Sequence, residues 1–248
     1  MPGVSQQNVH YSDGLLVARR TVVAVAAFFD IDGTLISKNS GPLYMKFLRR
    51  RGEIRRRDAL RTVYLYLRYR LGLLDIEAAA QSSGGWIRGR SEQAVAEHCR
   101  LWYRDMVRQY LQPEMVRRVQ LHRAAGHVVA LLSSTTPYLA TPLAEDLGIE
   151  HLLVSRMVIE NGRFTGEVHR PICYGAGKIH WARRFAEEHD IDLAESWFYT
   201  DSVTDLPMLE IVGHPEIVNP DPRLRREAKK RGWNIMQIRV DDPEPVPA

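Results

Sequence analysis

The sequence predicts an α/β fold: a doubly wound parallel sheet interrupted by an inserted all-helical block. Three observations carry this. Val22 to Phe29 is a valine-rich run of eight apolar residues closed by Asp30, Asp32 and Gly33, which is how a strand buried on both faces reads. Two further apolar strand segments, His127–Leu132 and Trp197–Thr200, end just as abruptly in polar residues and alternate with helical segments, the pattern of a parallel sheet. Between the first and second segments the chain is helical throughout, with no strand signal.

In chain order, residues 1–20 are polar and aperiodic and read as a flexible tail. The first strand follows. Leu60, Val63, Tyr64, Leu67 and Leu71 then recur at helical spacing, widened by Leu65, Tyr66 and Tyr69. Gly84, Gly85 and Gly89 break the chain before a helix from Ser91, its cap, to Tyr110. Residues 40–111 therefore read as an inserted helical cap on a core made of 21–39 and 112–240. Pro113 opens a helix that Gly126 ends. The second strand leads into Ser133, Ser134, Thr135 and Thr136, and Pro137 starts a helix stopping near Gly148. Leu152–Ile159 and Arg163–Val168 flank Asn161-Gly162, a hairpin signal. A helix over 176–189, the third core strand, a short helix, a strand near Glu216–Val218, a basic helix from Pro222 and a strand near Asn234–Ile238 complete the alternation.

With 248 residues the chain can bury a sizeable core. Its net charge of +4 is unevenly spread. Residues 49–70 hold nine arginines against Glu53 and Asp58, a net of +7, which leaves −3 elsewhere. An anionic partner should therefore meet that segment. Cys99 and Cys173 are far apart and in no paired motif, which excludes a metal knuckle or disulfide framework and suits a reducing cytoplasm. No apolar run approaches the roughly 18 residues of a membrane span.

The chemistry gathers where apolar strands end. Asp30 and Asp32 stand two positions apart, so on an extended backbone they point to one side. Such a pair needs a cation or a shared proton to offset its repulsion. Ser133, Ser134 and Thr135 follow the second strand, and Asp201 and Asp205 follow the third. In a parallel sheet these ends share one edge, where ligands of open α/β sheets bind. Lys178 begins a helix after Gly175-Ala176-Gly177. Together they supply acids for a hard cation, hydroxyls and amides for phosphate oxygens, and an ammonium. Taken singly, each has an ordinary reading as turn, cap or surface chemistry; Asp205, for instance, could simply cap the helix beginning at Leu206.

On these residues the chain resembles the haloacid dehalogenase (HAD) superfamily, subfamily IB, nearest the phosphoserine phosphatase branch, over about residues 22–238. Its four motifs correspond to Asp30–Thr34, Ser133, Lys178, and Asp201 with Asp205. The resemblance implies a Rossmann-like core with a helical cap, and a phosphomonoester hydrolase acting through an aspartyl-phosphate. It implies Asp30 as nucleophile and Asp32 as general acid and base. Mg²⁺ would be held by the Asp30 carboxylate, the Asp32 carbonyl and Asp201. Ser133, the Ser134 amide and Lys178 would hold the phosphoryl group, with Gly33 beside them, and Asp205 and Thr34 would support from behind.

The resemblance has one departure. Phosphoserine phosphatases carry a glutamate that meets the substrate's amino group, and the matching position here is Asn39. A neutral amide pairs poorly with an ammonium, so the implied substrate is a small phosphorylated metabolite, phosphoserine-like or phospholipid-headgroup-like. The Arg49–Arg70 segment reads as a solvated face, as an entrance for anions, or as a weak contact with an anionic membrane surface. It matches no nucleic-acid motif, so no nucleic-acid partner is expected. Two other functions fit the same residues: a phosphoryl transferase using the same intermediate, and a catalytically weak scaffold or membrane-surface protein that keeps the fold.

Overall fold

The structure is a computed structural model that describes residues 23–53, 64 and 87–239. The expected tail over 1–20, the helix expected over 60–71 apart from Tyr64, and most of the arginine segment lie outside the described residues. Six strands form one sheet in the order β3-β2-β1-β6-β7-β8. They are β1 (Ala26–Phe29), β2 (Val128–Ser133), β3 (His151–Val154), β6 (Trp197–Thr200), β7 (His214–Val218) and β8 (Ile235–Met236). Every pairing among them is parallel. The remaining pair, β4 (Met157–Glu160) and β5 (Arg163–Val168), is the antiparallel hairpin. Asn161 and Gly162 turn it with φ of 50° and 71°, as a two-residue turn matched to strand twist requires.

Period two sorts the sheet's side chains into two cores. Ala27, Phe29 and Leu131 join Met115 and Val119 of α3 (Pro113–Ala124) and Leu143 and Ala144 of α4 (Pro137–Leu147). Ala26, Phe28 and Leu132 join Ala182 and Phe185 of α5 (Ala176–Glu188), Met208 and Leu209 of α6 (Leu206–Leu209), and Leu224 and Ala228 of α7 (Pro222–Arg231). The first cluster also takes in α1 (Ser40–Arg50) and α2 (Glu92–Trp102) through Tyr44, Phe47, Leu48, Val95 and Trp102. Helices therefore cover both faces, and β1 lies at the centre, where the order of connection reverses from β2 and β3 on one side to β6 on the other.

Three segments differ from expectation. The described part of the apolar run, residues 23–29, yields only four residues of strand: Ala26 to Phe29 find ladder partners on β2, and Ala27 to Phe29 on β6 as well. The run expected as one strand over 152–159 divides at Ser155 and Arg156 between the main sheet and the hairpin. The helix expected over 91–110 is capped by Ser91 as anticipated but loosens after Trp102 into a π turn over 103–107 and a 3₁₀ turn over 108–110.

The chain leaves the sheet at Leu35–Ser37 and returns beside itself at Tyr110–Gln112. The Ser37 amide donates to the Tyr110 carbonyl, and the Gln112 amide to the Leu35 carbonyl, each over 2.9 Å. Exit and re-entry are thus one antiparallel contact, bridged by Ile36 and Leu111.

Candidate active site

Asp30 follows β1 directly, and its amide donates to the Tyr199 carbonyl on β6 (2.9 Å), so the adjacent strand fixes its position. The chain then turns sharply, with the Ile36 amide donating to the Ile31 carbonyl (3.0 Å) and Gly33 at φ 74°. A Cβ at Gly33 would overlap the Asp201 carboxylate. That carboxylate therefore lies against the backbone of the first loop, and only glycine leaves it room.

Lys178 reaches this edge from the first turn of α5. It is 2% exposed, and its Nζ lies 3.2 Å from Asp30 Oδ1 and 2.7 Å from Asp205 Oδ2. Thr200 donates to the same Asp205 oxygen over 2.6 Å. Burial alone would push the Lys178 ammonium down, but Asp205 and Asp30 outweigh it and hold the lysine above its ordinary range, charged. The loop before α5 makes this approach possible. A Cβ at Gly177 would collide with the Ile172 carbonyl, so the helix can start this close only with glycine there.

Asp32 has both carboxylate oxygens engaged by one residue. The Ser40 amide donates to Oδ1 and the Ser40 hydroxyl to Oδ2, each over 2.9 Å. Burial and the neighbouring Asp30 raise its pKa to about 7 against the pull of Ser40. Asp201 is raised well above the usual carboxylate range by burial, then by Asp30, Asp205 and Asp32. Four acids thus share the edge with one buried ammonium.

Among the described residues no group of three or more His, Cys, Asp or Glu side chains is placed to hold a metal. The donor set still suits Mg²⁺. Two carboxylates and a backbone carbonyl leave room for the waters and phosphate oxygens that Mg²⁺ keeps, and a cation would relieve the repulsion that adds to burial in raising Asp201.

The other expected residues are placed less directly. Ser133 ends β2, buried at 3% exposed, and Ser134 beyond it is exposed, both on the edge that carries Asp30. Thr34 is fully buried, and its Oγ1 has no partner among the described residues. Asn39 caps α1, its Oδ1 accepting from the Gly41 amide (3.1 Å).

Several supporting residues escaped the sequence reading. Besides Ser40 and Thr200, Gln112 donates to the carbonyls of Thr34 (2.5 Å) and Gly33 (3.4 Å) and accepts from Asn219 (3.1 Å). Asp221 caps α7 and also accepts from the Val203 amide (2.7 Å), while its own amide donates to the Asp201 carbonyl. The Gln112 contacts and those of Asp221 with Val203 and Asp201 span 18 to 107 positions, so no local pattern marks them.

A sequence model described as haloacid dehalogenase-like hydrolase matches residues 27–210. The inhibition of morphological differentiation protein of Streptomyces azureus is 36% identical over 90% of this chain and 81% of its own. A phosphoserine phosphatase of Mycobacterium tuberculosis is 31% identical over 88% of this chain and 72% of its own. A histidinol-phosphatase of Neisseria meningitidis is 30% identical over 86% and 98%. Among solved structures, a protein of unknown function from Bordetella pertussis superposes with a TM-score of 0.78 at 33% identity, covering 86% of this chain and 98% of that one. A substrate-bound phosphoserine phosphatase superposes at 0.65 with 17% identity, over 88% and 94%, a likeness of fold alone.

Proposed function

The chain belongs to the haloacid dehalogenase-like hydrolases, and on that premise we propose that it is a Mg²⁺-dependent phosphatase of small phosphorylated metabolites. Asp30 attacks phosphorus and carries the phosphoryl group as an aspartyl-phosphate. Asp32 gives a proton to the departing alkoxide, then takes one from the water that cleaves the acyl phosphate. Its pKa of about 7 suits both tasks near neutral pH. Lys178, Ser133 and the Ser134 amide hold the phosphoryl oxygens. Asp205 aims Lys178, Gly33 leaves room for Asp201, and Thr34 supports the first loop from behind. Mg²⁺, bound by the Asp30 and Asp201 carboxylates and the Asp32 carbonyl, would offset the charge between a carboxylate nucleophile and a phosphate dianion.

The observation that carries this reading is the Lys178 ammonium, buried between Asp30 and Asp205 at the edge that also holds Asp32 and Asp201. A structural ion pair needs one acid, and the surplus acids suit a site made for a cation and a phosphate. We assign the core to 21–39 and 112–240 and the cap to 40–111; the paired exit and re-entry at Leu35–Ser37 and Tyr110–Gln112 supports those limits. The cap, including the Arg49–Arg70 segment, would select the substrate. The two separate, buried, free cysteines suit a cytoplasmic protein, and no described helix is long and apolar enough to cross a membrane.

The test is Asp30→Asn with intact fold. Phosphate release should fall by more than the roughly 10²–10⁴-fold of an acid/base loss, and near-parental kcat would sink the nucleophile. The names of two relatives point to phosphorylated amino alcohols as substrates. With the Asn39 oxygen spent on the α1 cap, no carboxylate at that position meets an ammonium. Phosphoserine should therefore rank low in a panel of phosphomonoesters, and a first place for it would remove Asn39 as a specificity marker.

A further inference from the structure

We propose that Ser40 is the positioning residue of the acid/base step, holding the Asp32 carboxylate in its working orientation; this rests on the hydrolase reading above. Ser40 is 5% exposed and is the first residue of α1. Its amide and hydroxyl each meet a different oxygen of Asp32 at 2.9 Å. A carboxylate held at one oxygen still swings about its last torsion, whereas one held at both does not. Each oxygen keeps a second lone pair free for the leaving alkoxide or the attacking water. The hydroxyl donates to one lone pair of Oδ2 while the other carries or releases the proton, so the grip survives the proton's departure and return.

The donors are themselves fixed. Asn39 takes the Gly41 amide and sets the start of the helix, leaving the Ser40 amide for Asp32. Leu43, Tyr44, Phe47 and Leu48 pin α1 by burial, with Tyr44 edge-on to Trp102 at 5.6 Å between ring centroids. A displacement of α1 would break both bonds to Asp32 together. An ångström of misplacement at a proton-transferring group is enough to cost a large part of the rate.

The experiment uses the full chain and two substrates, an alkyl phosphate that needs a proton on its leaving oxygen and 4-nitrophenyl phosphate that does not. Ser40→Ala should lower kcat for the alkyl phosphate by about tenfold or more, lower it much less for the aryl phosphate, and leave both KM values unchanged. Ser40→Thr, which keeps both donors, should restore the alkyl-phosphate rate. Added to Asp32→Asn, Ser40→Ala should cost nothing further on the alkyl phosphate. Equal losses on both substrates, or none, would overturn the proposal and leave Ser40 a helix-starting residue. A faster Ser40→Ala enzyme would also overturn it, because Ser40 would then be parking Asp32 away from the substrate. A parent chain that turns over neither substrate fails the hydrolase reading itself, a result distinct from an active parent indifferent to Ser40.

Discussion

Lys178 Nζ donates to Asp205 Oδ2 over 2.7 Å, with the two residues 2% and 1% exposed. The pair joins the start of α5 to the loop after β6, 27 positions apart in the chain. Thr200 donates to the same oxygen and steadies the acid, so the ammonium is aimed at Asp30 rather than free to turn.

This burial makes the pair costly to halve. Lys178→Met strands Asp205 and Asp30 without a counter-charge and should cost about 3–5 kcal/mol of stability in urea unfolding, together with most of the activity. Asp205→Asn keeps an acceptor for Nζ and should cost less. Lys178→Met combined with Asp205→Leu should be more stable than the two single losses add up to, because neither charge is left alone. Additive losses would show that the two groups do not act as a pair.

Stability of the metal-free protein should depend on pH through acids and a histidine that act in opposite directions. Folded Asp32 keeps its proton to about pH 7, whereas its ordinary pKa is 3.8. The folded state therefore binds the extra proton, and stability falls as pH rises through that window. Asp201, also raised, acts the same way. His122 runs the other way. Burial, then His127, Arg118 and His214, lower it to about 4, so the unfolded chain binds the extra proton and stability is lost as pH falls from about 6.5 towards 4. In denaturation from pH 4 to 7.5, His122→Gln should steepen the fall with rising pH, and Asp32→Asn should flatten it. Unchanged slopes in both variants would refute the assignment.

Gly33 and Gly162 both have φ above 70°, but only Gly33 is crowded. Gly162→Ala has open space around the new methyl and should cost about 1–2 kcal/mol of left-handed strain. Gly33→Ala carries the same strain and also drives a methyl into Asp201. It should destabilise more and abolish phosphate release. Equal effects of the two substitutions on stability and turnover would disprove close packing at Asp201.

Chelation should stop turnover, Mg²⁺ should restore it, and Ca²⁺ should restore little, since Ca²⁺ takes more oxygens at longer distances. Asp201→Asn should raise the Mg²⁺ concentration needed for half-maximal rate. Full activity in excess chelator would exclude the metal.

The sequence alone determined the elements and the acids, because both are local properties. An apolar run stopped by Asp30 is a strand end whatever surrounds it, and Asn161-Gly162, Gly126 and Gly148 punctuate the chain through backbone geometry that belongs to those residues. Only the tertiary structure decided how long the strands run and what each acid touches. The run ending at Phe29 is apolar throughout, yet in its described part the ladder starts at Ala26 against β2 and at Ala27 against β6. The resemblance sets Asn39 at a substrate-contacting position, and that its Oδ1 also caps α1 shows only in the fold. Ser40, Thr200, Gln112 and Asn219 carry no signal of their own. Each matters through hydrogen bonds to a partner outside its own helix or strand, 5 to 107 positions away, and such a bond exists only once the chain has brought the two groups to within about 3 Å.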